Sequence, residues 1–266
     1  MQTFTDTVRY RFVLENLVSK NLKVMYRNQA LGFVWAVVQP LVMMAVLTFV
    51  MVYAFADPAN PPDAPASRAI VGIVPFNFVS YCLTGCAMAV VGNAGLVKKV
   101  AFPRQLLPFS VVLTNLIHLA IQVPLVALVL WINRPSTAHF GLNLLWLPVI
   151  FAVHFGLVVG VGLLVAALNV TYRDVQYMID SLMLVLFWLS PVMYDPAQFK
   201  NMPAWMHNAY WLNPLAGIID GYRAVLIRGT SPDLTTLGVA AGITLVLGAL
   251  GVRKFWVHER DFADLV

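Results

Sequence analysis

The run that decides the fold extends from Leu106 to Ile132 and reads LLPFSVVLTNLIHLAIQVPLVALVLWI, without a single Asp, Glu, Lys or Arg. A helix of about 20 apolar residues crosses the ~30 Å hydrocarbon core of a bilayer, so this run is long enough to span a membrane. Further apolar runs lie on both sides of it. We predict six spans, at about 33–56, 69–92, 106–132, 142–168, 178–194 and 234–256.

The composition of the whole chain agrees with a polytopic all-α membrane protein. Hydrophobic residues make up 60% and charged residues 11% of the 266 residues, against about 45–50% and about 25% in ordinary globular chains. Disorder, collagen and coiled coil are excluded. The net charge of +5 is also found in proteins that bind nucleic acid, but in a membrane protein an excess of Lys and Arg in cytoplasmic loops explains it. We therefore predict one membrane domain, 1–266, and no nucleic-acid partner.

The positions of Lys and Arg predict the orientation. With the N-terminus in the cytoplasm, twelve of the seventeen Lys and Arg fall on the cytoplasmic side and five outside, as the positive-inside rule requires. Six spans then return the C-terminus to the cytoplasm. We expect a multi-pass protein of the cytoplasmic (inner) membrane with both termini in the cytoplasm.

An amphipathic helix is predicted at 8–27, before the first span. Its apolar arc includes Val24, whereas Phe12 and Leu22 break the pattern. The basic residues Lys20, Lys23 and Arg27 lie opposite that arc, which is typical of a helix in the cytoplasmic interface. A simple charged flank of the first span is the alternative.

The outer segment 195–233 is also unusual, because it is rich in aliphatic and aromatic residues. It predicts two short helices, at about 203–212 and 214–227, that re-enter the outer leaflet before the last span. Their candidate gate residues are Trp205, Tyr210 and Trp211. An interfacial aromatic belt is the alternative.

The motifs of common membrane enzymes and carriers are missing. The chain has no GxxxxGK[ST], HExxH or GxSxG motif and no Cys/His cluster at zinc spacing. Asp180 is the only carboxylate inside a predicted span, whereas proton-driven carriers need buried ionisable relays. These absences disfavour a secondary carrier and a membrane glycosyl or acyl transferase, and no catalytic or metal-binding residue is predicted.

Three stretches carry a family resemblance. Tyr26–Leu41 reads YR-x3-LG-x2-W-x3-QPL, Asn93–Pro108 reads N-x2-L-x-KK-x2-FPR-x2-LP, and Tyr172–Asp174 reads YRD. In this order on six predicted spans, they resemble the permease subunit of type-2 ABC exporters for cell-surface polysaccharides, which include O-antigen, capsule and teichoic acid. The resemblance covers essentially the whole chain.

The resemblance implies a function and partners. The chain would be the permease of an ATP-driven exporter of a lipid-linked polysaccharide, as in O-antigen export and lipopolysaccharide biosynthesis. It would form a homodimer bound to two ABC ATPase subunits, a heterotetramer overall. It would be no enzyme itself and would bind no cofactor, because ATP and Mg²⁺ would sit on the ATPase. An exporter of a drug or lipid with the same fold is the nearest alternative.

The remaining candidate site residues form three groups. The resemblance implies that the Asn93–Pro108 stretch couples to the ATPase, and an apolar anchor beside a basic rim suits docking into a partner's groove. A glycan path would need aromatic rings with polar groups between them, although lipid-facing packing is the alternative for each ring. The candidates are Leu96, Lys98, Lys99, Phe102, Pro103 and Arg104 for coupling; Tyr172, Arg173 and Asp174 in the second cytoplasmic loop; and Trp35, Phe49, Tyr53, Phe187 and Trp188 for the conduit lining.

Other polar and small residues inside the predicted spans are interpreted as contacts between helices. Gly156 and Gly160 form a GxxxG pattern, which lets helices approach closely. The polar residues of this class are Gln39, Thr48, Asn77, Ser80, Thr84, Asn115 and Gln122.

Overall fold

The computed structural model describes residues 10–27, 32–53, 63–133, 141–194, 203–259 and 261–265. In these ranges all regular secondary structure is helical, which confirms the predicted fold class. The helices are α1 Arg11–Tyr26, α2 Trp35–Tyr53, α3 Pro65–Ala89, α4 Ala94–Lys99, α5 Leu106–Ile132, α6 Leu147–Thr171, α7 Val175–Leu189, α8 Ala204–Trp211, α9 Pro214–Arg223, α10 Leu234–His258 and α11 Phe262–Leu265.

Five helical segments of the described ranges are long and apolar enough to cross a membrane. The apolar helix α7, with 15 residues, is shorter than one bilayer crossing requires. It stops at Leu189 rather than at the end of the predicted span 178–194, because Ser190 is extended and Pro191 follows it. The proline ring clashes with the residue before it and disfavours the helical conformation of that residue. The five segments are Gly32–Tyr53, Pro65–Ala89, Leu106–Ile132, Leu142–Thr171 and Leu234–His258.

Helix α3 is the centre of the bundle. It packs against α2, α5, α6, α7 and α9, and its Ile70, Ile73, Cys82 and Cys86 are fully buried. The two cysteines are therefore packing residues inside an apolar helix.

Helices α6 and α10 approach each other through glycines. A Cβ atom on Gly160 would lie 2.5 Å from the Cα of Gly248, and one on Gly251 would overlap the carbonyl group of Gly160. Gly156 faces the Thr244 side chain across the same contact. The GxxxG pattern of the sequence thus lies in a close helix crossing.

One end of the bundle, the basal end, joins α1, α4 and the start of α5 to the end of α10. An apolar cluster fills it, formed among others by Leu17, Val97, Phe102, Leu106, Phe255 and Phe262. Helix α1 lies against α5, so protein covers much of its apolar arc. Val24 differs from the expected arc because it is 62% exposed, whereas Leu22, which breaks the sequence pattern, is half-buried.

The opposite end, the apical end, holds the two short helices α8 and α9. Asn213 separates them, and its side chain caps α9 by accepting from the Leu215 N–H at 3.0 Å. Arg223 at the end of α9 is buried, and its guanidinium donates to the carbonyl oxygens of Arg68, Val192 and Tyr194. It therefore ties α9 to the start of α3 and to the segment after α7.

Candidate functional site

Helix α3 has one face that its neighbours leave partly open. Between Ala69 and Ala89 every residue is buried except Asn77, Ser80, Tyr81, Thr84, Gly85 and Met88. The spacing i, i+3, i+4 and i+7 places Asn77, Ser80, Tyr81 and Thr84 on one side of the helix. These four residues, which we call the polar stripe, are the open side of an otherwise buried helix.

The polar stripe lies between α2 and α7. The Tyr81 hydroxyl is hydrogen-bonded to Gln39 of α2. On the other flank, Thr84 Oγ1 donates to Asp180 Oδ1 of α7 at 3.0 Å. The open face therefore combines amide, hydroxyl and carboxylate groups that arrive from three helices.

Two grooves follow this face. One, of about 670 Å³, lies between α2 and α3 and is lined by Trp35, Gln39, Val42, Met43, Val46 and Asn77. The other, of about 610 Å³, lies toward the basal end between α1, α3 and α5, and includes Lys20, Ser80, Thr84 and Asn115. Because Asn77, Ser80 and Thr84 succeed one another by about a turn, the grooves continue along the same stripe. Such a surface can hydrogen-bond a polar chain at several heights.

The aromatic candidates of α2 share one exposed face. Trp35 is 45%, Phe49 63% and Tyr53 77% exposed, and the rings of Phe49 and Tyr53 contact each other with centroids 5.0 Å apart. Val42 and Val46 lie exposed on the same side. Helix α2 thus presents an apolar and aromatic ridge beside the polar stripe.

The two aromatic candidates of α7 differ in their exposure. Trp188 is exposed, whereas Phe187 is half-buried and packs edge-on against Phe76 with ring centroids 5.2 Å apart. Phe187 therefore attaches α7 to α3, and Trp188 is the exposed ring of this pair.

The coupling candidates also differ in their exposure. Lys98 and Lys99 are exposed at the end of α4, and Val100 follows them at the surface. Phe102 and Pro103 are buried, and Leu96 is half-buried. Arg104 is held by Glu259 at the end of α10. Phe102 of the expected apolar anchor therefore packs inside this chain, whereas Lys98, Lys99 and Val100 stay at the surface.

The YRD turn connects α6 to α7 at the same end. Tyr172, Arg173 and Asp174 are all exposed. Buried Asn169 fixes the turn, because its Nδ2 donates to the Ala87 carbonyl at 2.8 Å and its Oδ1 accepts from the Gln176 N–H at 3.1 Å. The exposed turn thus has a rigid base on α3.

Helix α1 is fastened to α5 by polar side chains. The Tyr26 hydroxyl lies 2.8 Å from His118 Nδ1, and Asn21 Nδ2 donates to Ser110 Oγ at 3.1 Å. Burial raises the pKa of the Tyr26 phenol above its ordinary value, so this group stays neutral. Lys20 donates to Asn93 Oδ1, and Lys23 and Arg27 are exposed.

The outer gate candidates lie on α8. Trp205 is exposed. The ring of Tyr210 contacts those of Tyr194 and Trp211, and Trp211 Nε1 donates to His207 Nε2 at 3.2 Å. Tyr210 and Trp211 thus form an aromatic group at the apical end.

Comparison with known families and proteins decides what kind of membrane protein this is. Residues 13–227, which run from within α1 to beyond the end of α9, match the family described as ABC-2 type transporter. The chain belongs to the ABC-2 type transporter family. The family resemblance carried by the three sequence motifs is thereby confirmed, and the chain is a multi-pass membrane protein of this transporter family.

Its relatives include permeases of known export systems. The ABC-2 chain is 29% identical to the O-antigen export system permease protein RfbA of Myxococcus xanthus over 98% of both chains. It is 24% identical to the protein of the same name from Klebsiella pneumoniae, over 94% of this chain and 93% of that one. It is 23% identical to the polysialic acid transport protein KpsM of Escherichia coli over 94% of each.

Sequence reasoning did not select four polar residues of the open face of this ABC-2 permease as site residues: Asn77, Ser80, Thr84 and Asp180. The available signal was their spacing on α3, together with the lone carboxylate on α7. In the described part of the chain, no group of three His, Cys, Asp or Glu residues is placed to hold a metal ion.

Proposed function

We propose that this permease is the membrane-spanning subunit of an ATP-driven exporter that moves a lipid-linked, O-antigen-like polysaccharide across the cytoplasmic membrane. The observation that carries the proposal is the polar stripe of α3, which lies between α2 and α7 and shares a groove with Trp35. The relatives named for O-antigen export and polysialic acid transport support the same substrate class.

Sugar chemistry fits this face. A glycan offers hydroxyl groups that exchange hydrogen bonds with Asn77, Ser80 and Thr84. Its C–H faces pack on rings such as Trp35 and Trp188. Each contact is modest in energy, since a net hydrogen bond contributes only about 0.5–1.5 kcal/mol. A polymer can therefore advance from one set of contacts to the next without being trapped.

A second copy of the chain completes the conduit. The open face is one wall, flanked by the exposed ridge of α2 and the exposed side of α7. A homodimer that places two such walls opposite each other encloses a polar path within the membrane. Six membrane segments per copy, with α7 as the short fifth one, place both termini in the cytoplasm and the basal end at the cytoplasmic surface.

The energy comes from a separate ABC ATPase, which binds ATP and Mg²⁺. Two copies of it dock at the basal end, giving a heterotetramer. Lys98 and Lys99 supply the exposed positive charge for this contact, and Tyr172, Arg173 and Asp174 extend the surface. We call residues 94–105, which comprise α4 and the segment leading to α5, the docking loop.

The short helices α8 and α9 close the path on the outer side. They re-enter the outer leaflet, where the buried Arg223 guanidinium donates to three backbone carbonyls and buried protein can satisfy irregular backbone. The aromatic side chains Trp205, Tyr210 and Trp211 form the gate that opens when the ATPase cycle separates the two copies.

The test is ATP-driven transport by the purified permease–ATPase complex in proteoliposomes. We expect lipid-linked glycan to stimulate ATP hydrolysis and to cross the membrane, and Thr84→Val to slow its transport. Thr244→Val is the matched control, because Thr244 packs between α6 and α10, away from the open face. If drug-like amphiphiles or phospholipids stimulate the complex and the glycan does not, the alternative of a drug or lipid exporter replaces this proposal.

A further inference from the structure

The docking loop is held by a segment from the far end of the chain. The backbone N–H of Arg104 donates to Glu259 Oε1 at 2.9 Å, across a separation of 155 residues. The guanidinium of Arg104 donates to the backbone carbonyl of Glu259 as well. One residue of the loop is thus bonded twice to the end of α10.

The second attachment is apolar. Phe255 of α10 and Phe262 of α11 are fully buried, and their rings meet edge-on with centroids 5.2 Å apart. Both belong to the basal cluster with Val97 and Phe102 of the docking loop. Helix α11 contacts α4 directly and also reaches α6. The short α11 therefore fills the space beneath the loop.

The position of the Glu259 carboxylate is electrostatically favourable. It lies at the turn that opens α5, where Gln105 makes no side-chain capping bond. The first N–H groups of a helix lack partners within the helix, and its N-terminus attracts negative charge. Glu259 provides that charge from another helix.

We infer that residues 255–259 and 261–265 form a brace for the docking loop, with Glu259 and Phe262 as positioning residues. This inference rests on the proposed docking of an ATPase at Lys98 and Lys99. With the brace in place, a force on those lysines reaches α5 and α10 together, because the loop cannot shift without breaking the Arg104–Glu259 bonds. Without it, the loop would absorb the motion.

The experiment uses the reconstituted permease–ATPase complex and compares Glu259→Ala with Glu259→Gln. The glutamine amide oxygen can still accept the Arg104 N–H, whereas alanine cannot. We expect Glu259→Ala to reduce the amount of glycan exported per ATP hydrolysed and to speed hydrogen exchange in residues 94–105 about tenfold, as expected for one lost hydrogen bond to a charged group. Glu259→Gln keeps the acceptor and removes the charge, so both values should lie between those of Glu259→Ala and those of the unmodified complex.

Phe262→Ala tests the apolar attachment in the same way, and Asp261→Asn and Leu265→Ala are matched controls, because both residues are exposed in the same segment. If Glu259→Ala matches Asp261→Asn while charge reversal at Lys98 and Lys99 uncouples export, the brace is wrong and the docking surface stands. If the charge reversal leaves coupling intact, the proposed docking surface is wrong. The brace proposal, which depends on that surface, is then wrong as well. If the Phe262→Ala variant does not assemble, the comparison of Glu259→Ala with Glu259→Gln still tests the brace.

Discussion

Glycine residues set the distance between α6 and α10. A side chain on Gly160 or Gly251 would meet backbone atoms of the other helix, which cannot move aside as the end of a flexible side chain can. Gly242, on the same α10, faces open space. The space for a Cβ atom differs between these glycines because they occupy different sides of their helices. Their intrinsic helix propensity is the same.

Gly251→Ala is therefore expected to destabilise the fold, although alanine is the better helix former. Overpacking of a close contact costs about 1–3 kcal/mol, so the purified chain in detergent should unfold at a lower temperature. Gly242→Ala serves as the control and should unfold at or slightly above the original temperature. Equal unfolding temperatures for the two variants would contradict the close crossing of α6 and α10.

At the level of whole helices, α2 and α3 have opposite surroundings. Most of α3 is enclosed by five neighbouring helices, whereas α2 contacts mainly α3 and α5 and leaves a ridge from Trp35 to Tyr53 exposed. In the proposed homodimer that ridge faces the conduit. Facing lipid is the competing arrangement for the same helix.

Phe49→Ala and Tyr53→Ala distinguish these arrangements. Both rings are largely exposed in this chain, so we expect the yield of purified complex to stay unchanged while the amount of surface polysaccharide falls. Trp131→Ala is a control on α5, where the ring is 79% exposed and lies outside the proposed conduit. Normal export in both α2 variants, or loss of export only through loss of the complex, would remove this ridge from the conduit wall.

For the molecule as a whole, the orientation in the membrane can be tested directly. Cys82 and Cys86 are fully buried, so they should not react with an aqueous maleimide that cannot cross the membrane. We expect a cysteine at Trp205 to be labelled from outside intact cells, and one at Lys99 to be labelled only after the membrane is opened. The reverse pattern would invert the proposed topology.

Much of the fold follows from the sequence because hydropathy is a local property. Any run of about 20 apolar residues satisfies its own backbone as a helix and can remain in lipid whatever its neighbours are. The all-helical class and the ABC-2 family could therefore be predicted from the apolar runs and three short motifs. The shared face of Trp35, Phe49 and Tyr53 follows in the same way, since helical spacing alone places them together.

The sequence by itself thus determined the helices, the family and the ring-bearing face of α2. Only the tertiary structure decided which faces are covered. Phe102 belongs to the motif expected to dock on a partner, yet it lies inside the basal cluster. Asn77, Ser80 and Thr84 form an open stripe because α2 and α7 leave that side of α3 partly uncovered. Glu259 meets Arg104 because the end of α10 lies at the turn that opens α5. Such contacts join residues far apart in the chain, so no local periodicity can specify them.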